Sequence, residues 1–466
     1  MPKTENLKHN TDYRGKTVLV AGAGRSGIAS ARFLLNRGAR VILSDSKMRE
    51  ALEPEISGLL DSIASSCSEL TLELGGNRSE SFAIADLVVV SPGMPLSLPF
   101  FEISRNRGVP VIAEIELACR HLKGKIIGIT GSNGKTTTTT LTTKLLTGAG
   151  MKAHEAGNIG TPLVRFVEES MPDDIYVVEL SSFQLETVSK LRPFAATLLN
   201  LTPDHMDRYR DFEEYAAAKS RIFMNQTSED FAVLNADDPR SAATAASVCA
   251  KVMLFCRTGE VSVGAFVRDG CVIFRGEEGE KNLFPLDAIR IRGDHNLENI
   301  LAASLLALSA GAPPESLQAG ITEFSGVEHR LEHVALIAGV LYYNDSKATN
   351  VDAVIKALGA FPGGIHLIAG GRDKDGNFSA LIPSVKKLVK QVIVIGEAAE
   401  KIRKALYGTT EIVCASSMAE AIRLGRAAAK PGDVVLLAPA CASFDMFDNY
   451  EHRGRVFKES VLALEG

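Results

Sequence analysis

Short apolar runs, each ending at small or polar residues, divide the chain into three stretches of alternating strand and helix pattern. In the first, Lys16–Ala21 reads as a buried strand, Ile28–Asn36 as a helix with one apolar face, and Arg40–Leu43 as a second strand ending at Ser44-Asp45. Leu87–Val90 runs into Ser91-Pro92-Gly93, a turn that ends a strand, and the whole predicts a doubly wound parallel sheet up to about Ile112. The second stretch has strands at Ile175–Leu180, Ala195–Leu199 and Phe231–Leu234 and a helix at Phe212–Phe223. Between Lys251 and Arg292 the pattern shifts to short strands with Gly turns, expected to form an antiparallel edge or flap. Asn296–Ala310 is a strongly apolar helix closed by Gly311 and Pro313-Pro314. The third stretch starts near Val327. It places strands at Gly339–Tyr343, Gly364–Ile368, Gln391–Ile395 and Val434–Leu437, and helices at Asp352–Leu358 and Glu397–Leu406, another parallel unit.

The expectation is an α/β protein of three domains. Residues 1–113 form a Rossmann-like domain, 114–326 a P-loop ATPase-like domain with a mostly parallel sheet, and 327–466 a second Rossmann-like domain. A length of 466 residues agrees with about three domains. Hydrophobic content of 45% and charged content of 23% are globular values. A net charge of −5 argues against a nucleic-acid or anionic-membrane surface. The seven cysteines have no Cys-x-x-Cys spacing and read as reduced thiols of a cytosolic protein. The first sixteen residues are polar and no apolar run is long enough to span a bilayer, so a soluble, cytoplasmic protein is expected.

Candidate chemistry is densest at Lys125–Thr137. An apolar strand enters the loop Gly131-Ser132-Asn133-Gly134, and Lys135-Thr136-Thr137 opens a Thr-rich helix. Such a loop turns successive N–H groups toward phosphate oxygens. The helix terminus and Lys135 add positive charge, and the Thr136 hydroxyl can hold Mg²⁺. The usual triphosphate pattern has its first Gly five positions before Gly134, where this chain has Ile129, so the loop is a variant.

Other constellations also sit at strand ends. Gly22-Ala23-Gly24-Arg25-Ser26-Gly27, with Asp45 closing the next strand, fits a dinucleotide fingerprint; alone it predicts NAD, with Asp45 on a ribose hydroxyl. A triphosphate loop downstream opens a second reading, a nucleotide-linked substrate at the first turn and ATP at the second. Glu179 ends a strand beside that loop, where Mg²⁺ needs a hard oxygen ligand, and Asp204-His205-Met206-Asp207 follows another strand on the same edge. Lys219 reads by itself as one solvated cation among several. Asn296 and Asn299, three apart, share a helix face as an adenine reader would require, with helix capping as the competing explanation. Asn344–Asn350 and Ala440–Asp445 follow strands in the third stretch. There Lys347, Lys374 and Ser443 could hold carboxylates of an acidic substrate.

Together these motifs resemble the Mur ligase family over essentially the whole chain. Thr130–Thr136 looks like its ATP loop. Glu179–Leu185, Asp204–Tyr209, Asn344–Asn350 and the loop around Ser443 resemble its D-glutamate-adding branch, and the Asp-Asn-Pro-Arg run of the diaminopimelate-adding branch is absent. The resemblance implies that Gly24, Arg25, Ser26, Asp45, Ser46, Ser91 and Gly93 hold the UDP end of the substrate, with Asn158 also touching it. It implies that the 131–137 loop binds ATP, with Asn296, Asn299, Arg330 and Asp345. Two Mg²⁺ would be held by Thr136, Glu179, His205 and a carbamate on Lys219, and catalysis would rest on Lys135, Glu179, His205 and Lys219. Lys347, Thr349, Lys374, Ser443, Phe444 and Tyr450 would surround D-glutamate. Arg25 and Tyr450 depart from the family pattern, which can carry an apolar residue and Phe there.

The implied chemistry is activation of a carboxylate as an acyl phosphate by ATP, then attack by the amino acid's amine, with His205 as a metal ligand and not a base. Partners would be small molecules, with no nucleic acid, and the protein is expected to act as a monomer. A nicotinamide-dependent oxidoreductase explains the first fingerprint but leaves the phosphate loop, Glu179 and His205 idle. A nucleotide-gated binding protein is a further alternative. A folate-polyglutamating ligase would share the ATP loop without needing a UDP-binding domain.

Overall fold

The computed structural model describes residues 13–63, 69–206, 208–373 and 376–464. Lys374 and Asp207 therefore lie outside the described residues. Three sheets carry the α/β architecture. The chain contacts divide into two compact units, one running to Leu283 and including Leu301–Leu317, the other Phe284–Ile300 with the chain from Gln318 onward. Among the described residues no helix is long and apolar enough to cross a membrane.

The first unit holds two sheets. Strands β1 (Thr17–Ala21), β2 (Arg40–Asp45), β3 (Leu70–Leu74), β4 (Leu87–Val90) and β5 (Val111–Ala113) form a parallel sheet in the order β3-β2-β1-β4-β5. The chain winds outward from β1 in one direction and then crosses to β4 on the other side. The loops after β1 and β4 thus meet at the reversal, where open α/β sheets bind ligands.

The second sheet comprises β6 (Lys125–Thr130), β7 (Ala153–Gly157), β8 (Ile175–Glu179), β9 (Ala195–Leu198), β10 (Phe231–Asn235), β11 (Lys251–Cys256), β12 (Gly264–Arg268), β13 (Cys271–Gly276) and β14 (Gly279–Pro285), in the order β14-β13-β12-β11-β10-β9-β6-β8-β7. β8 and β9 are buried along their whole lengths and β6 beyond its first residue, which is why they read as unbroken apolar runs. One apolar cluster runs from Val18 and Val20 of the first sheet through Leu117 and Leu163 to Val178 of the second and Leu180 just beyond it. The expected antiparallel flap begins later than the sequence suggests. β11 pairs in parallel with both β10 and β12, and antiparallel pairing starts at β12–β13.

In the second unit, β15 (Glu332–Ile337), β16 (Val340–Asn344), β17 (Ile365–Gly370), β18 (Val389–Ile395), β19 (Glu411–Cys414) and β20 (Val434–Leu437) take the order β15-β16-β20-β17-β18-β19. The sheet is parallel except for β15, an antiparallel edge the sequence reading lacks. Its turn, Ala338-Gly339, has φ of 48° and 78°. Two left-handed residues are what a tight hairpin turn needs, but Ala-Gly lacks the Asn-Gly or Asp-Gly signal that would announce it. Apolar clusters pack both faces, with Val392 and Leu436 on one and Ile393 and Val435 on the other.

Candidate active site

The phosphate loop leaves the central strand β6 and is built around two glycines in conformations that L side chains avoid. Gly131 has φ 152° and Gly134 φ 87°, and a Cβ at Gly131 would come within 3.0 Å of Leu199 Cβ. Gly134 caps the helix Lys135–Gly148, leaving its first N–H groups pointing into the loop. The loop after β9 braces this cradle from the side. Asn133 N donates to Asn200 Oδ1 at 2.9 Å, Asn200 Nδ2 returns a bond to Asn133 O at 3.1 Å, and Ser132 Oγ donates to Thr202 O at 2.9 Å.

Glu179, at the end of β8, is 2% exposed. Its Oε2 accepts the Thr136 hydroxyl at 2.7 Å and its Oε1 accepts Asn158 Nδ2 at 2.9 Å. A helix-terminal hydroxyl, a carboxylate and an anion cradle are therefore contiguous. That set of hard oxygens beside inward-facing N–H groups fits a divalent cation carrying a triphosphate. Lys135 Nζ folds back to donate to Gly131 O at 2.8 Å and Ser132 O at 2.9 Å.

Lys219 is brought to the same point from the helix Phe212–Ser220. It is 2% exposed, donates to Gly131 O at 2.9 Å, and lies 4.8 Å over the Tyr215 ring. Burial pushes its ammonium well below the usual lysine range. Lys135 pushes the same way, and Asp204 and Glu179 oppose it. The reading of Lys219 as a solvated surface cation is thereby overturned: the helix turns this side chain inward. His205 is exposed, with a left-handed φ of 56°, its ring edge-on to Phe183 at 4.8 Å and its Nε2 3.7 Å from Asp204 Oδ2. Thr137 is buried in the first turn of the helix. Sequence reasoning passed over Glu155 on β7. Burial raises its carboxyl, a Thr140 bond lowers it, and the Glu179 charge raises it further.

At the first sheet, Gly24 caps the helix Arg25–Asn36, so Arg25 and Ser26 occupy its opening turn. A Cβ on Gly27 would lie 1.8 Å from Gly22 O, so only glycine permits this close crossing. Asp45 Oδ2 accepts Ala23 N at 2.7 Å and Oδ1 accepts Lys47 N at 2.8 Å, locking the two loops together. Ser91 Oγ donates to Gly22 O at 3.1 Å, while Ser46 and Gly93 are exposed. Arg25 Nη1 reaches Gly160 O at 3.4 Å.

The second unit gathers its own cluster. Asn299 Nδ2 donates to Asn296 Oδ1 at 3.2 Å, and Asn296 Nδ2 donates to Arg292 O at 2.7 Å, so the pair shares a face and also ties the helix entrance. Burial pushes the Asp345 carboxyl up to about 7 against the opposing charge of Arg330. Lys347 Nζ sits 3.6 Å over the Tyr450 ring. Ser443 is buried, Phe444 is exposed and Thr349 lies in the loop beyond Lys347.

Arg453, absent from the sequence reading, holds these loops. It is 1% exposed and donates to Ser346 Oγ at 2.9 Å, Ser346 O at 2.7 Å, Cys441 O at 3.1 Å and Ala442 O at 3.3 Å. The Asn344–Asn350 and Ala440–Asp445 loops are thus pinned to one guanidinium.

Residues 16–113 match the Mur ligase MurD-like N-terminal domain, 129–307 the Mur ligase middle domain, and 329–441 the Mur ligase glutamate ligase domain. The UDP-N-acetylmuramoylalanine–D-glutamate ligase of Koribacter versatilis is 49% identical over 97% of this chain and 98% of its own. The ligase of the same name from Acidobacterium capsulatum is 48% identical over 98% of each. Among solved structures, a pseudomurein peptide ligase type C from Methanothermus fervidus shares the fold with a TM-score of 0.60 at 20% identity, covering 96% of this chain and all of its own. Three domain matches in order and near-half identity across almost the full length lead to one conclusion: the chain belongs to the Mur ligase family.

Proposed function

We propose that the protein is an ATP-dependent ligase that joins D-glutamate to UDP-N-acetylmuramoyl-L-alanine in peptidoglycan synthesis. The geometric observation that carries the reading is the Glu179 carboxylate held between Thr136 and Asn158 at the mouth of the phosphate loop. The substrates follow the names of the relatives at 49% and 48% identity. Residues 1–113 would take the UDP end, 114–326 the ATP, and 327–466 the amino acid. The reading carries with it a cytoplasmic location and action as a monomer.

A carboxylate cannot acylate an amine, because its leaving group would be oxide or hydroxide. Transfer of the ATP γ-phosphoryl forms a carboxyl O–P bond, breaks the bond to the β-phosphate oxygen and releases ADP. The D-glutamate amine then attacks the acyl carbon, the C–N bond forms, and phosphate departs. Lys135 would neutralise the transferring phosphoryl, and the N–H groups of the 131–137 loop would orient it. Thr136, Glu179 and His205 would hold Mg²⁺, which supplies charge neutralisation and in-line alignment of the phosphates. Lys219 would carry a carbamate, formed by its free amine on CO₂ with loss of a proton, giving two further hard oxygens. Asn296, Asn299, Arg330 and Asp345 would meet the nucleotide. Lys347, Thr349, Lys374, Ser443, Phe444 and Tyr450 would surround D-glutamate. Gly24, Arg25, Ser26, Asp45, Ser46, Ser91 and Gly93 would hold UDP, so the first fingerprint would not serve NAD.

Phosphate release measured across candidate amino acids, with melting curves in UDP and NAD, tests the reading. D-Glutamate should stimulate release, and D-alanine, which lacks the side-chain carboxylate, should not. Equal stimulation by D-alanine would reject the acceptor, and a nicotinamide absorbance change with substrate would reject the ligase.

A further inference from the structure

Arg208 has no role in the chemistry above, yet three parts of the first unit meet at its guanidinium. Nη1 donates to Pro92 O at 3.1 Å and Nη2 to Met94 O at 3.3 Å, so the group spans the turn that ends β4. Nη2 also donates to Glu186 Oε2 at 3.3 Å, and the neighbouring Tyr209 hydroxyl donates to the other oxygen of that carboxylate at 2.6 Å. The guanidinium carbon stands 3.8 Å from the centre of the Phe183 ring. That ring is the one that meets His205 edge-on at 4.8 Å. Only 14% of the Arg208 side chain is exposed, so these bonds are shielded from competing water.

The arrangement uses what distinguishes Arg from Lys, a planar fork that serves several acceptors while its face stacks on a ring. The turn it grips contains Ser91 and Gly93, and the ring it stacks on lies one residue beyond Ser182 in the segment that follows Glu179. His205 keeps a left-handed backbone that ordinary side chains avoid, so its loop needs support from outside.

We propose that Arg208 is a positioning residue that couples the turn Ser91–Gly93 to the His205 loop, so that the UDP-linked substrate and the metal–nucleotide each tighten the other's binding. This rests on the ligase reading above. A diphosphate settling on the turn fixes the Pro92 and Met94 carbonyls, these fix the guanidinium, and the guanidinium fixes Phe183 and through it the His205 ring. The coupling is reciprocal by thermodynamic necessity.

Titration calorimetry with a nonhydrolysable ATP analogue and Mg²⁺, with and without saturating UDP-N-acetylmuramoyl-L-alanine, tests it on wild type, Arg208→Gln and Arg208→Lys. Wild type should bind the analogue about tenfold tighter when the UDP ligand is present, and either variant should show less than about twofold tightening. Arg208→Lys keeps a positive charge but lacks the planar fork whose two nitrogens reach Pro92 O and Met94 O while its face lies on Phe183, so it gives the result even if Arg208→Gln does not fold. A variant that melts earlier yet keeps the wild-type tightening makes Arg208 a brace only and overturns the proposal, as does a wild type without tightening. Failure of the ligase reading is seen separately, as no D-glutamate-dependent phosphate release by wild type.

Discussion

Lys219 Nζ and Lys135 Nζ both donate to the carbonyl oxygen of Gly131, at 2.9 and 2.8 Å. Two lysine nitrogens crowd one neutral oxygen, and burial together with Lys135 drives the buried Lys219 toward its free amine against the opposing charges of Asp204 and Glu179. A carbamate on Lys219 would reverse its sign and relieve the repulsion. Lys219→Ala should lower turnover on the order of 10²-fold or more, the scale of removing one preorganised charge contact. Added formate or acetate should restore part of it. A variant with near-normal turnover and no response to carboxylates would reject the carbamate.

Lys135→Ala tests a different stage. The ammonium lies at the phosphate loop and should matter more as charge shifts onto the transferring phosphoryl than when ATP is merely bound. Turnover should fall on the order of 10³-fold while affinity for the ATP analogue changes far less. Equal losses in both would show that Lys135 contributes uniform binding.

The phosphate loop was legible in sequence because each of its signals is local: an apolar strand, glycines at left-handed positions and a helix start within a dozen residues. Glu179 and the Asp204-His205 pair were singled out by the same logic, since strand ends beside such a loop are where ligands are expected. Lys219 was not legible from pattern. Whether a helical Lys points outward or into a neighbouring loop depends on packing, and only family resemblance singled it out. Arg453 escaped for the same reason, as an interior Arg looks like a solvated one until four acceptors close around it. The β15 edge was lost because its strand is half-exposed and its turn uses Ala-Gly.

Arg453→Met should remove four hydrogen bonds from a buried guanidinium and leave the Ser346, Cys441 and Ala442 acceptors without it. The expected loss of stability is about 3 kcal/mol, the scale of breaking a buried charged network. Burial lowers this guanidinium only to about 10, so it stays charged at neutral pH. Because it pins the loops carrying Lys347 and Ser443, a conservative Arg453→Lys should raise the KM for D-glutamate while leaving UDP-substrate binding unchanged. Steady-state kinetics with each substrate varied in turn reads that split, and a KM unchanged for D-glutamate would limit Arg453 to stability.

Glu114, at the start of the helix Glu114–Cys119, is 1% exposed, and its Oε1 accepts Val164 N at 2.6 Å. Burial pushes its carboxyl from an ordinary 4.5 up to about 7, with the Val164 bond opposing. The folded protein therefore keeps a proton that the unfolded chain releases. Its contribution to stability is complete below about 4.5 and is lost as pH rises through about 7, at about 1.4 kcal/mol per pH unit within that window. Glu114→Gln keeps the shape and an oxygen for Val164 but has nothing to ionise. Urea unfolding at about pH 5 and about pH 8 should show wild type losing on the order of 3 kcal/mol more than the variant across that interval. The variant should be the more stable of the two at the upper pH. If both lose the same stability over the interval, Glu114 is already ionised in the folded protein at pH 5, and its cost lies elsewhere.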